Sequence, residues 1–215
     1  MIFKKLFGKK KKWLSEKVSE RLAAVAELDL VNDKPVLHEL AFNDGDDKVR
    51  RASLEKLNEF SLWWQAFKND VSDAIQRYAE KIIIEYLTGK RELETRLKQQ
   101  FIEECNKTQL LEQVVFELQD ETLTLATLQR INKDNLTLKA ITDSQLPESA
   151  KLQLLANIDD NNQLKKLTKK LKGELLTAAE NKLLQQKQAA EKPVKLEKQS
   201  RLLLAQLNAL KEKSD

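Results

Sequence analysis

Three kinds of residue in this chain have the chemistry for a reaction or a metal: one histidine, one cysteine and a cluster of aspartates. His38 stands between Leu37 and Leu40 in a helical pattern, the usual setting of a packed or capping imidazole. A zinc or iron ion at His38 would have to draw its remaining ligands from carboxylates, because no second imidazole exists. Cys105 would serve as a nucleophile only with His38 as its base. Its neighbours Phe101 and Ile102 point instead to a semi-buried structural thiol. A lone cysteine also excludes an intramolecular disulfide and a multi-cysteine zinc site. Asp44, Asp46 and Asp47 form a turn that could hold a cation. Counting Asp44 as position one of a calcium loop puts Glu55 at position twelve, but Val49, Arg50 and Ala52 fall where oxygen ligands would be needed. Helix capping is the better reading. The four scattered Gly build neither a phosphate-cradling loop nor a dinucleotide fingerprint. The expectation is a chain with no catalytic residues, no metal, no cofactor and no small-molecule substrate.

Residues suited to binding are easier to find. Trp63 and Trp64 are adjacent, so on a helix their side chains diverge by about 100° and cannot both face one core. Aligning Trp64 with Leu37 of the preceding segment puts Trp64 in the core and leaves Trp63 for a rim or groove, where an aromatic anchor suits a partner. The plain alternative packs both between neighbouring hairpins. Residues 1–14 carry six lysines, including Lys9, Lys10, Lys11 and Lys12, and no acid. Formal net charge is +4, so the other 201 residues sum to −2. This arm reads as a solvated tail, as a sequence-blind phosphate contact, or as a membrane-surface element through Phe3, Phe7, Trp13 and the lysines. A second basic run, Lys165, Lys166, Lys169, Lys170 and Lys172, lies opposite Leu164, Leu167 and Leu171. That is a solvated face, or an electrostatic groove if it lines a concave surface.

The elements that must position these residues are helices. Apolar residues recur every three or four positions, Leu, Lys, Glu, Gln and Ala dominate, and Gly and Pro are sparse. No apolar run is long enough for an export signal or a spanning helix. A longer period overlies the helical one. Arg21, Val25 and Leu28 meet Arg50, Leu54 and Leu57 at an offset of 29. A third copy starting at Arg77 lies 27 further on. The same step of 26–27 runs on through Phe101, Leu128 and Leu155, and through Ile131 and Ile158. Breakers at residues 43–47, 88–89, 143–147 and 159–162 separate short helices that need stacked neighbours to form a core. All twelve aromatics lie at or before Phe116. Pro193 in the polar stretch 185–199 suggests a helix end and linker before a terminal amphipathic helix. The fold expected is an all-α solenoid of short hairpins, period about 27 residues, with a C-terminal helix. Its parts are a basic and aromatic arm (1–14), aromatic-rich repeats (15–92), Leu-rich repeats (93–185), and a linker with terminal helix (186–215).

The segment Asp47-Lys-Val-Arg50-Arg-Ala52-Ser-Leu-Glu-Lys-Leu57 resembles the first helix of a HEAT repeat. Met1 to Phe7 with Trp13, Leu37 to Asp44 and Leu57 to Trp64 are together similar to the N-terminal helical region of bacterial proteins of the domain of unknown function 349 family. That resemblance implies a cytoplasmic bacterial protein and brings no catalytic residues. The expectation for function is therefore a non-catalytic interaction or scaffold module that grips another protein. The alternative is a nucleic-acid or ribosome-associated factor that contacts phosphate through the arm and the 165–172 face. Peripheral membrane contact through residues 1–14 is a third possibility.

Overall fold

The computed structural model describes residues 11–211, with side chains described to Gln206. Every regular element among these residues is helical. A 3-10 turn, Lys12–Leu14, is followed by α1 (Val18–Glu27), α2 (Lys34–Asn43), α3 (Asp47–Leu57), α4 (Phe60–Asn69), α5 (Asp73–Leu87), α6 (Thr95–Glu104) and α7 (Thr108–Val114). Then come α8 (Glu121–Ile131), α9 (Asp134–Asp143), α10 (Glu148–Ala156), α11 (Asn161–Thr168) and α12 (Gly173–Lys211). No described helix is long and apolar enough to cross a membrane.

The chain divides into two compact units, Met1–Gln119 and Asp120–Asp215. The first unit runs on past residue 92, and α6 completes its aromatic core. The Phe101 ring lies 5.3 Å from Trp64, 6.0 Å from Phe60 and 6.2 Å from Phe67. Phe60 also packs edge-on against Tyr86 at 5.4 Å. Such edge-to-face pairs add to the apolar area they bury.

The pair α2–α3 maps onto α4–α5 at an offset of 26, one residue less than the period read from the sequence. At that offset buried positions coincide: Leu37 with Trp63, Ala41 with Phe67, Val49 with Ile75, Ser53 with Ala79, Leu57 with Ile83. One residue of register is about 100° of helix rotation. This corrects the reading of the tryptophans. Trp63 is the core residue, 1% exposed, and Trp64 is the half-buried one.

The same shift reassigns the third copy. Arg21 Nε and Nη2 donate to Asp44 at 2.7 and 2.9 Å, and Arg50 Nε and Nη2 donate to Asp70 at 3.0 and 2.9 Å. Each arginine's Nη1 also donates to the carbonyl six residues before it, Ser15 or Asp44. In the third helix it is Gln76 Nε2 that donates to the carbonyl of Asp70. Gln76, and not the exposed Arg77, holds the equivalent place. These forked pairs tie the start of one hairpin to the turn of the next, in side chains only 6% and 3% exposed for Arg50 and Asp70.

In the second unit α8 and α9 correspond to α10 and α11 at an offset of 27. Its core is aliphatic: Leu128 and Ile131, then Leu155 and Ile158, with Leu164 and Leu167. Residues 186–199 are not a linker, because α12 continues through Pro193. One proline removes one N–H, while strong helix formers and the pairs Glu191–Lys195 (3.1 Å) and Glu197–Arg201 (2.7 Å) hold the flanks.

Candidate functional site

The residues singled out for binding do not converge. Trp63 packs beside Tyr78 at 5.7 Å and offers no anchor to a partner. Trp64 is half-buried, with the Lys68 ammonium 4.3 Å from its ring and Lys68 paired to Glu104 at 3.2 Å. Of the arm, Phe3, Phe7, Lys9 and Lys10 lie outside the described residues. Lys11, Lys12 and Trp13 lie within them, and they are not a detached tail. The 3-10 turn rests on α1, Trp13 is half-buried, and Lys12 Nζ pairs with Glu27 at 2.7 Å. Lys11, Lys12 and Trp13 border a cavity of about 430 Å³ whose apolar side is Ala24 and Leu28.

Lys165, Lys166, Lys169, Lys170 and Lys172 are all exposed, while Leu164, Leu167 and Leu171 are buried beneath them. Only Lys165 and Lys166 lie on α11, which ends at Thr168; Lys169, Lys170 and Lys172 follow in the turn before α12. His38 is half-buried, and the Cys105 thiol is buried and donates to the carbonyl of Lys107 at 3.7 Å. The aspartate turn is occupied by structural work. Asp44 takes the Arg21 fork and Asp46 accepts from the Lys48 amide as the cap of α3. Burial opposes ionisation of Asp44, but the hydrogen bonds from Arg21 and the Asp46 amide outweigh it and hold the carboxyl below its ordinary value.

Two surfaces are absent from the sequence reading. The first is the outer length of α12. Past Gln186 nearly every described residue is exposed, including Val194, Leu196, Leu202, Leu203 and Leu204 at 58–65%. The leucines themselves were legible, but their lack of a covering neighbour was not.

The second is a cleft of about 530 Å³ in the second unit, between the turn joining α8 to α9 and the turn joining α10 to α11. Leu128, Leu154 and Ile158 form its floor, and five carboxamides, Gln129, Asn132, Gln153, Asn157 and Gln163, stand around it. Asn132 and Asn157 are the C-caps of α8 and α10, and Asn132 has the left-handed backbone (φ 50°) that asparagine tolerates. Asp134, Asp159 and Asp160 also line it, and no lysine or arginine does. In the sequence these residues are turn punctuation, and no periodicity marks them as neighbours.

The chain matches no family model, no curated protein and no solved structure. The resemblances stated above rest on the residues quoted for them.

Proposed function

We propose that this chain is a non-catalytic protein-interaction module, built from HEAT-like helical hairpins that stack as a solenoid within each unit. The stacking is supported by the matched buried positions at offsets of 26 and 27 and by the repeated arginine–aspartate forks. The observation that carries the function is the outer part of α12. Three successive leucines, Leu202 to Leu204, each more than half exposed, on a helix with no described neighbour beyond Gln186, are a surface for another protein. The proposal retains the cytoplasmic bacterial setting, which follows only from the resemblance to the 349 family's N-terminal region.

The test is quantitative affinity capture from native cytoplasm, with nuclease, comparing the full chain with Leu202→Gln/Leu203→Gln/Leu204→Gln. These side chains are exposed, so the variant keeps its far-UV helical signal. Loss of a defined set of proteins supports the reading. An identical captured set in wild type and variant overturns it.

A second reading is favoured by the exposed lysines of α11 and of the turn after it, Lys165 to Lys172. There the chain is a nucleic-acid or ribosome-associated factor, binding phosphate through those lysines and residues 1–14. Each phosphate neutralised gives a slope of about −0.9 in log K against log salt for duplex DNA. Labelled RNA and duplex DNA titrated at two salt concentrations decide it, and no binding at low salt removes it. Liposome flotation with and without residues 1–14 decides membrane contact in the same way.

A further inference from the structure

We propose that the cleft between the α8–α9 and α10–α11 turns binds an extended peptide segment bearing a lysine or arginine side chain. The inference rests on the reading of the chain as a protein binder, but not on α12.

Four of the five carboxamides, all but Gln163, are exposed and each offers both a donor and an acceptor. No intramolecular partner is described for the side chains of Gln129, Asn132, Gln153 or Asn157. A peptide backbone presents alternating N–H and C=O groups, and a side-chain amide can answer either. The apolar floor of Leu128, Leu154 and Ile158 suits the aliphatic stem of a long basic side chain.

The charge around the cleft selects the sign of the ligand. Asp134, Asp159 and Asp160 line it without a compensating cation in the lining. The C-termini of α8 and α10 end there and the N-termini of α9 and α11 begin there, so the helix ends offset one another and the carboxylates alone set the sign. Lys182 reaches the α10 end from outside, donating to the carbonyls of Leu155 and Ala156 and standing 3.6 Å from Asp159. A guanidinium in the cleft would meet Asp159 on its other side, since that carboxylate is 95% exposed. Gln163 already donates to Asp134, so Asp134 is the less available of the three. A volume of about 530 Å³ lies within the usual range for ligand clefts.

The test is side-chain amide NMR on the full chain. The probes are acetyl-Ala-Arg-Ala-Lys-Ala-amide and its counterpart with citrulline for Arg and norleucine for Lys. The expected result is saturable shifts of the Gln129, Asn132, Gln153 and Asn157 amide signals with the basic peptide, and at least tenfold weaker binding of the neutral one. Asp159→Asn/Asp160→Asn should weaken the basic peptide tenfold or more, and asparagine at 160 still caps α11. Equal affinity for both peptides, unchanged affinity in the double variant, or no shift up to 10 mM peptide (about 10,000 times a micromolar constant) overturns the proposal. So does displacement of these signals by an RNA oligonucleotide but not by peptide. The leucine triple variant separates the two readings. If the cleft fails while that variant still loses its captured proteins, the interaction reading stands without the cleft. If the cleft binds and the captured set is unchanged, the cleft stands and the role of α12 fails.

Discussion

The side chain that changes most between sequence and structure is Trp63. Fully enclosed beside Tyr78 and Ala66, it is a packing residue. Trp63→Ala should cost about 3–5 kcal/mol, and Trp63→Phe much less, measured by urea unfolding followed by far-UV circular dichroism. A loss under about 1 kcal/mol would contradict its place in the core. Arg50 and Asp70 make a second case. Breaking a buried pair leaves one charge unanswered, so Arg50→Met alone should cost about 3–5 kcal/mol, whereas Arg50→Met/Asp70→Leu should recover most of that loss. Equal losses in both variants would show that the fork itself is not the cause. Asp44 contributes to the pH dependence. Its carboxyl is held below the ordinary value, so its contribution is complete above about pH 3.9 and is lost as pH falls through the lowered value. Asp44→Asn should therefore flatten the fall in stability below about pH 4. An unchanged acid limb would refute this.

Among the elements, α12 carries the clearest expectation. Pro193 lies inside it, where proline costs about 3 kcal/mol relative to alanine. Beyond Gln186 no packing offsets that cost, so amides flanking residue 193 should exchange quickly. Pro193→Ala should slow exchange across residues 187–206 without altering α10 or α11. If exchange there is already as slow as in α10, the outer helix is covered by something, and the exposed leucines are not free. A second regularity belongs to this scale. Lys56 on α3 donates to the carbonyls of Val25 and Ala26, and Lys182 on α12 does the same for Leu155 and Ala156. In each unit a lysine from a neighbouring helix closes a helix C-terminus, where a cation offsets the dipole and meets unpaired carbonyls.

The two units are built from different materials. All three tryptophans, Trp13, Trp63 and Trp64, lie in Met1–Gln119. That unit also holds the aromatic cluster and both buried arginine forks. Asp120–Asp215 packs on leucine, isoleucine and alanine, with an outer helix that buries little. Tryptophan fluorescence therefore reports the first unit alone, while circular dichroism reports both. Thermal unfolding followed by the two probes should not coincide, with the dichroism signal beginning to fall first. Superimposable curves would mean that the two units melt as one cooperative structure.

By itself the sequence determined the helical class and the alternation of buried leucines with exposed lysines over residues 164–172. Each follows from short-range periodicity, in which a residue's neighbours three or four positions away are fixed by helix geometry. It also marked Asp44, Asp46 and Asp47 as a structural turn, because the residue types required of a calcium loop are missing. Only the tertiary structure decided the register. A step of 26 and one of 27 both align apolar residues with apolar residues, Leu37 with a tryptophan and Leu57 with an isoleucine, yet they turn Trp63 and Trp64 through opposite roles and exchange Arg77 for Gln76. For the tryptophans the choice is made by packing of Trp63 against Tyr78 and of Trp64 against Phe101, 15 and 37 residues away along the chain. The same holds for the cleft. Asn132, Asn157 and Asp159 are ordinary turn residues until the α8–α9 and α10–α11 turns come together, and no pattern along one strand of sequence encodes that meeting.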